Sequence, residues 1–250
     1  GDGSELEVVT SPRRELSHDY AVAAGQYTVR VHAYGIPQTL GVWLDAVGYM
    51  KMPAGPTKRD VVVKYVSLGN LGVRSLAYFF AKSDYTGPVE WTTRDITNMS
   101  HMFCDATAFN QPIGRWDVGK VTDMCFMFNG AKAFNQPIGT WDVSQVTDMY
   151  AMFNNAPAFN QPIGTWDVGK VTDMSSMFSC ATAFNQPIGT WNVGKVTNMR
   201  FMFNGARAFN KPIGTWDVGK VTNMRCMFNW ATAFNQPIGT WDVGKVTDMS

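Results

Sequence analysis

The side chains that carry out most enzyme chemistry are scarce in this chain, and those that are abundant are copied at a fixed interval. Three histidines occur, His18, His32 and His101, and no HExxH, P-loop, GxSxG or zinc-ligand spacing accompanies them. The acids divide by type: Glu5, Glu7, Glu15 and Glu90 lie before Trp91, and every later acid is Asp. A glycosidase-type pair needs two carboxyls in two different environments. Identical aspartates in identical surroundings do not supply them, so the expectation is a protein that is not an enzyme, with no catalytic residues and no organic cofactor. Cys104, Cys125, Cys180 and Cys226 share no CxxC spacing and read as free, partly buried thiols.

One polar constellation does recur. Asp117, Asp142, Asp167, Asp217 and Asp242 form one column, interrupted by Asn192, and Thr140, Thr165, Thr190, Thr215 and Thr240 form another, with Arg115 at its start. Carboxylate oxygens are the natural ligands of Ca²⁺, which makes Asp117, Asp142 and Asp167 the candidate metal residues. Stacked at roughly 4.8 Å, such acids repel one another by about 1 kcal/mol in water. Lys120, Lys170, Lys195, Lys220 and Lys245, three positions on, offer an offset. The alternatives stay open: a solvated, charge-balanced face, or a binding face led by Thr140, Asp142, Thr165, Asp167, Thr215, Asp217, Thr240 and Asp242. A second set of candidates is irregular. Phe126, Tyr150, Phe201 and Trp230 interrupt the pattern as single aromatics and are candidate partner contacts.

These residues must be placed by something periodic. Trp91, Trp116, Trp141, Trp166, Trp191, Trp216 and Trp241 recur at one constant interval. A unit such as Trp141–Thr165, WDVSQVTDMYAMFNNAPAFNQPIGT, is too small to bury an apolar face alone, so it must stack on its copies. Within a unit, Arg115-Trp116-Asp117-Val118-Gly119 alternates as a strand does, with Trp116 and Val118 inward. Met124, Met127, Phe128, Ala131 and Phe134 then follow helical offsets, and Thr122-Asp123 suits a helix start. Gly130, Gly205 and Pro157 limit that helix to about two turns of α or 3₁₀ type. Asn110, Asn135, Asn160, Asn185, Asn210 and Asn235 end each unit, where stacked amides could satisfy buried loop groups. The fold class implied is an α/β repeat solenoid of leucine-rich-repeat type. It would carry a parallel sheet on one face and short helices on the other. No Leu follows Leu76; Trp, Met, Phe, Val and Ile fill the core instead.

Net charge is +1, which favours neither nucleic acid nor acidic membranes. No apolar run reaches the length of roughly 18 residues that a spanning helix needs, so no span of a membrane is expected in this segment. Leu76, Phe80, Tyr85 and Trp91 echo Met99, Phe103, Phe109 and Trp116, which makes 67–91 a degenerate first repeat. The organisation read from the pattern is a β-rich connection and cap over 35–66, the degenerate repeat over 67–91, and the array over 92–250. Asp60–Val66 is expected to be the strand that begins the cap. The chain ends partway through a unit and reads as a piece of a longer protein.

The unit WDVxxVTDMxxMFxxAxxFNQPIGT resembles the repeats of BspA-like surface proteins and mycoplasma surface lipoproteins, over about residues 67–250. Residues 1–34 resemble the end of a polycystic-kidney-disease (PKD) type β-sandwich, through Gly1-Asp2-Gly3-Ser4, His18, Tyr20, Gly25, Tyr27, Val29 and Val31. Both resemblances imply an extracellular or cell-surface location. The leading functional expectation is a structural or adhesive scaffold whose partners are proteins or glycans at a surface. One alternative is a ligand-binding module that reads Ca²⁺, glycan or a repetitive mineral or ice surface through the Thr/Asp face. Another is a self-assembling subunit of a filament, appendage or large complex.

Overall fold

The computed structural model describes residues 66–67, 74–83, 86, 89 and 91–250. The PKD-like segment 1–34, most of the 35–66 connection and Tyr85 lie outside them. Consecutive turns of the chain, one repeat each, lie side by side and parallel. The first pairing is between two short strands, β1 (Val66–Ser67) and β2 (Trp91–Thr92), in the register Val66↔Trp91. After that, each turn meets the next through one parallel bridge, running Ser75↔Asn98, Asn98↔Asp123, Asp123↔Asp148 and onward to Asn223↔Asp248.

The expected sheet is reduced to this single row of bridges. Trp116 and Val118 do point inward and Asp117 outward, as the alternation requires. The backbone donors around them are taken locally, however. Trp116 N–H bonds Ile113 at 3.0 Å and Val121 N–H bonds Val118 at 2.9 Å, each closing a tight turn. Thr122 N–H remains to reach back to Thr97 at 2.8 Å. A ladder needs alternate donors along the whole strand, and here they are committed to turns.

The expected short helices are also absent among the described residues, although their apolar periodicity is fully satisfied. Met124, Met127, Phe128, Ala131 and Phe134 are all fully buried. The segment is a run of overlapping turns. Met127, Asn129 and Ala131 donate to the third residue back, while Met124, Phe126, Phe128 and Gly130 donate forward to Asp148, Tyr150, Met152 and Asn154 of the next turn, at 2.8–3.1 Å. An α-helix needs every N–H for its own fourth-preceding carbonyl. Here alternate donors are captured by the neighbouring turn, which a helical period in the sequence does not reveal. Capturing them requires left-handed backbone at two places in each turn. One column is Tyr78, His101, Phe126, Ala151, Ser176, Phe201 and Cys226; the other is Lys82, Asp105, Gly130, Asn155, Cys180, Gly205 and Trp230.

The core is a set of parallel stacks. Phe103, Phe128, Phe153, Phe178, Phe203 and Phe228 lie ring over ring at 5.5–5.8 Å. Phe109 through Phe234 form a second stack, and each Phe128-type ring also packs on its own Phe134-type ring, at 4.0 Å in that pair. Offset stacking is the arrangement aromatic quadrupoles prefer, and full burial of each ring contributes about 1.5–3 kcal/mol. Buried polar groups are met across turns. From Trp116 to Trp241, each indole Nε1–H of the tryptophan column donates to a carbonyl of the turn before, as Trp166 does to Ile138 at 3.2 Å. The asparagines play the part expected of stacked amides: Asn160 Oδ1 accepts Asn185 N–H and Gln186 Nε2, both at 2.9 Å. Gly189 lies where a Cβ would meet the Pro212 carbonyl oxygen at 2.5 Å, so the close approach of neighbouring turns demands glycine there. The degenerate repeat joins the same scheme: Leu76 N–H bonds Asn98 at 2.9 Å, and Phe80 stacks on Phe103 at 5.3 Å.

Candidate functional site

The Thr and Asp columns are exposed, as the alternation requires, and each side chain has a structural task. Thr140, Thr165, Thr215 and Thr240 donate Oγ1–H to Gly114, Gly139, Gly189 and Gly214 of the preceding turn, at 2.9–3.2 Å. Asp117, Asp142, Asp167, Asp217 and Asp242 each accept, through Oδ1, the N–H of the second residue on, at 3.0–3.1 Å. Asn192 takes the same bond at 3.2 Å, which explains why an uncharged residue is tolerated in the column. These bonds call for a Thr hydroxyl and an Asp or Asn side-chain oxygen at fixed positions whether or not a ligand binds.

At Asp142 the Ser144 hydroxyl and N–H hold the carboxyl below its usual range, with a smaller contribution from Lys170. The lysines do not pair directly with this column. Lys120 reaches Asp95 at 2.7 Å and Lys170 reaches Gln145 Oε1 at 2.7 Å, both within the column three positions on. Asp117 and Asp142 stand on either side of Gly119, where a Cβ would lie 3.4 Å from an oxygen of each. A calcium ion takes about six to eight oxygens. With Oδ1 of each aspartate held by backbone, one carboxylate oxygen per turn is left for an ion.

A second column of acids, at the bridging position, reads in the sequence only as a helix start. It runs Asn98, Asp123, Asp148, Asp173, Asn198, Asn223, Asp248. Three consecutive carboxylates are thus bounded by amides, and Asn98 Nδ2 and Asn198 Nδ2 donate to Asp123 and Asp173 at 3.3 and 3.1 Å. Ligand atoms of Asp123, Cys125 and Asp148 lie within 4.8 Å of one another. Burial, with the charges of Asp123 and Asp173, raises Asp148 above the usual carboxylate range against the pull of the Tyr150 N–H. Burial, followed by the Asp123 and Asp148 carboxylates, pushes the Cys125 thiol far up. The signal in the sequence is the alternation of Thr-Asp-Met with Thr-Asn-Met, which periodicity alone treats as neutral.

The irregular aromatics fall into two groups. Tyr78, His101 and Phe126 stack face to face at 4.3 and 4.5 Å along the first left-handed column, and Tyr150 closes edge-on against Phe126 at 4.6 Å. Desolvation in this sandwich lowers His101 from its ordinary value. Phe201 lies further along the same column, with the Arg200 guanidinium 4.6 Å above its ring. Between them the column holds only Ala151 and Ser176. Trp230 stands apart, in the second left-handed column, and is 70% exposed.

The stacked turns, the shared bridges and the copied side-chain bonds define a protein built of tandem repeats. The family described as "Mycoplasma protein of unknown function, DUF285" matches residues 74–179 and 158–250, and the chain belongs to that family. At this coarse level it is the repeat family to which the mycoplasma and BspA-like resemblance pointed. No curated protein and no solved structure matches the chain.

Proposed function

We propose that this chain is a repeat solenoid serving as an extracellular or cell-surface scaffold, structural or adhesive, that acts through protein–protein or protein–glycan contacts. The supporting observation is where the repeats differ from one another. Residues that pack the core or stitch one turn to the next are nearly constant from turn to turn. Variation gathers in both left-handed columns, and in the first it includes the residue before: Ser100-His101, Cys125-Phe126, Tyr150-Ala151, Ser175-Ser176, Arg200-Phe201, Arg225-Cys226. A scaffold with fixed stitching and a variable strip is what a repeat array needs in order to present a partner surface. In this reading the protein is not an enzyme. Among the described residues the titratable side chains stand in parallel columns, and the one close group, Asp123, Cys125 and Asp148, pairs two copies of the same column position with a thiol that burial keeps protonated.

The test is adhesion. Beads coated with the chain are measured on surfaces bearing glycans or glycoproteins, against a variant whose varied strip (100–101, 125–126, 150–151, 175–176, 200–201 and 225–226) is replaced by Ser-Ala throughout. Adhesion above that of bare beads, lost in the variant at unchanged melting temperature, is the expected result. Adhesion that survives the replacement, or none at all, removes the reading.

A further inference from the structure

The first left-handed column is the place to look for a specific ligand, because between its large side chains Phe126 and Phe201 it carries only the small Ala151 and Ser176. Tyr78, His101 and Phe126 fill it continuously, and Phe201 fills it again. Beside Ser176 lies a notch of about 390 Å³. Its walls are Tyr150 on one side and Phe201 with Arg200 on the other; Asp173, Ser176 and Asn198 supply polar groups. That volume is at the small end of ligand sites, which run from about 300 to 1,000 Å³.

The chemistry of the lining narrows the occupant. Tyr150 and Phe201 put aromatic surface on the lining, which suits a ring that is apolar on its C–H face. Asp173 is held in place by the Ser175 N–H and by Asn198 Nδ2 at 3.1 Å, so a fixed carboxylate and amide face the gap. These groups suit a ring edged with hydroxyls. Arg200 adds selectivity. Its guanidinium lies over Phe201 and makes no ion pair among the described residues, while its backbone N–H bonds Asn198 Oδ1 at 3.2 Å. A stacked guanidinium with unused donors is a bidentate carboxylate receptor. Arg225 occupies the same position on the next turn and adds positive charge on that side.

We propose that this notch binds one uronate residue of an acidic glycan, its C–H face against the aromatic surface of Tyr150 and Phe201, its hydroxyls on Asp173, Ser176 and Asn198, and its carboxylate on Arg200. The proposal deepens the scaffold reading, on which it rests, by giving one strip of the array a ligand class.

The column itself supplies the decisive variant. Phe126 and Phe201 hold the same backbone geometry as Ser176, at φ 55°, 57° and 56°. Ser176→Phe therefore continues an arrangement the stack already accepts while filling the gap. Calorimetric titration of the chain uses trigalacturonate and a neutral galactotriose as probes. The unchanged chain is expected to bind trigalacturonate about tenfold or more tighter than the neutral sugar. Ser176→Phe should lose binding of both by at least about tenfold, and Arg200→Ala should lose the preference for acid while keeping the neutral affinity. Tyr150→Ala serves as a second variant should Ser176→Phe lower the melting temperature. No saturable binding of either sugar, or binding unchanged in Ser176→Phe or Tyr150→Ala, overturns the proposal. Bead adhesion that persists while uronate binding is absent removes the notch alone. Uronate binding without adhesion removes the scaffold reading alone.

Discussion

Replacing Asn160 and Asn185 by Ala gives an internally controlled measure of the amide stack. Asn160 Oδ1 accepts two bonds, from Asn185 N–H and from Gln186 Nε2, each at 2.9 Å. Asn185 Oδ1 accepts the Asn210 N–H at 3.0 Å, and the residue placed to give the second bond is Lys211 rather than Gln. Removing either acceptor orphans a half-buried N–H, at a cost of about 1–3 kcal/mol. Only Asn160→Ala also discards a side-chain bond, worth about 0.5–1.5 kcal/mol more. The expected losses are about 1–3 kcal/mol at Asn185 and about 0.5–1.5 kcal/mol more than that at Asn160. Urea unfolding followed by tryptophan fluorescence measures both, provided the slopes match that of the unchanged chain, since an array can lose cooperativity. Asn160→Asp keeps the acceptor and should recover most of the loss at neutral pH. Lys211→Gln should raise the cost of Asn185→Ala to that of Asn160→Ala. Equal losses at the two positions with Lys211 in place would refute the account of a two-bond acceptor.

Gly189→Ala places a Cβ 2.5 Å from the Pro212 carbonyl oxygen and should cost about 2–4 kcal/mol in the same urea assay, whereas Gly239→Ala, with nothing within 4 Å, should stay within about 0.5 kcal/mol of the unchanged chain. Asp148→Asn tests the bridging column. Asp148 is raised in the folded chain by burial and by its two carboxylate neighbours, so ionising it favours the unfolded state. Its adverse contribution is absent below the ordinary value of 3.8 and grows as pH rises from there to the folded value, above which it is constant. Asp148→Asn should therefore raise the melting temperature at pH 7 and have little effect at pH 3, as read from melting curves at both. The opposite order, or no pH dependence, would show that the three carboxylates do not burden one another.

The core was legible from residue spacing because burial is what spacing reports. Trp116, Val118, Met124, Met127, Phe128 and Phe134 all fall on the inward side of the pattern, and all are buried. The backbone that delivers them was not legible. Offsets of 0, 3, 4, 7 and 10 identify an inward stripe, and both an α-helix and a run of turns satisfy them. What decides between the two is the destination of alternate N–H groups, and that depends on the neighbouring turn, a whole repeat further along the chain. Left-handed backbone at Phe126, Ala151, Phe201 and Trp230 carries no local glycine signal, because the stack imposes it. On the surface, the Thr/Asp columns were visible as repetition, and their bonds explain that repetition. Phe126, Tyr150 and Phe201 were visible as exceptions, but the notch beside Tyr150 and Phe201 depends on Ser176, whose importance lies in being small.

The phenylalanine stack at 5.5–5.8 Å has one more consequence. Lys211 apart, every internal turn presents nearly the same stitching donors, rings and amides upward as its neighbour presents, and receives the same set from below. Such an array has translational symmetry, so its length is a free variable. Excising one whole repeat brings together two faces that already fit, and duplicating one inserts a turn without creating a new interface. Genetic slippage between near-identical copies would then change reach in steps of one turn at almost no folding penalty, while shifting which odd side chains face outward at which height.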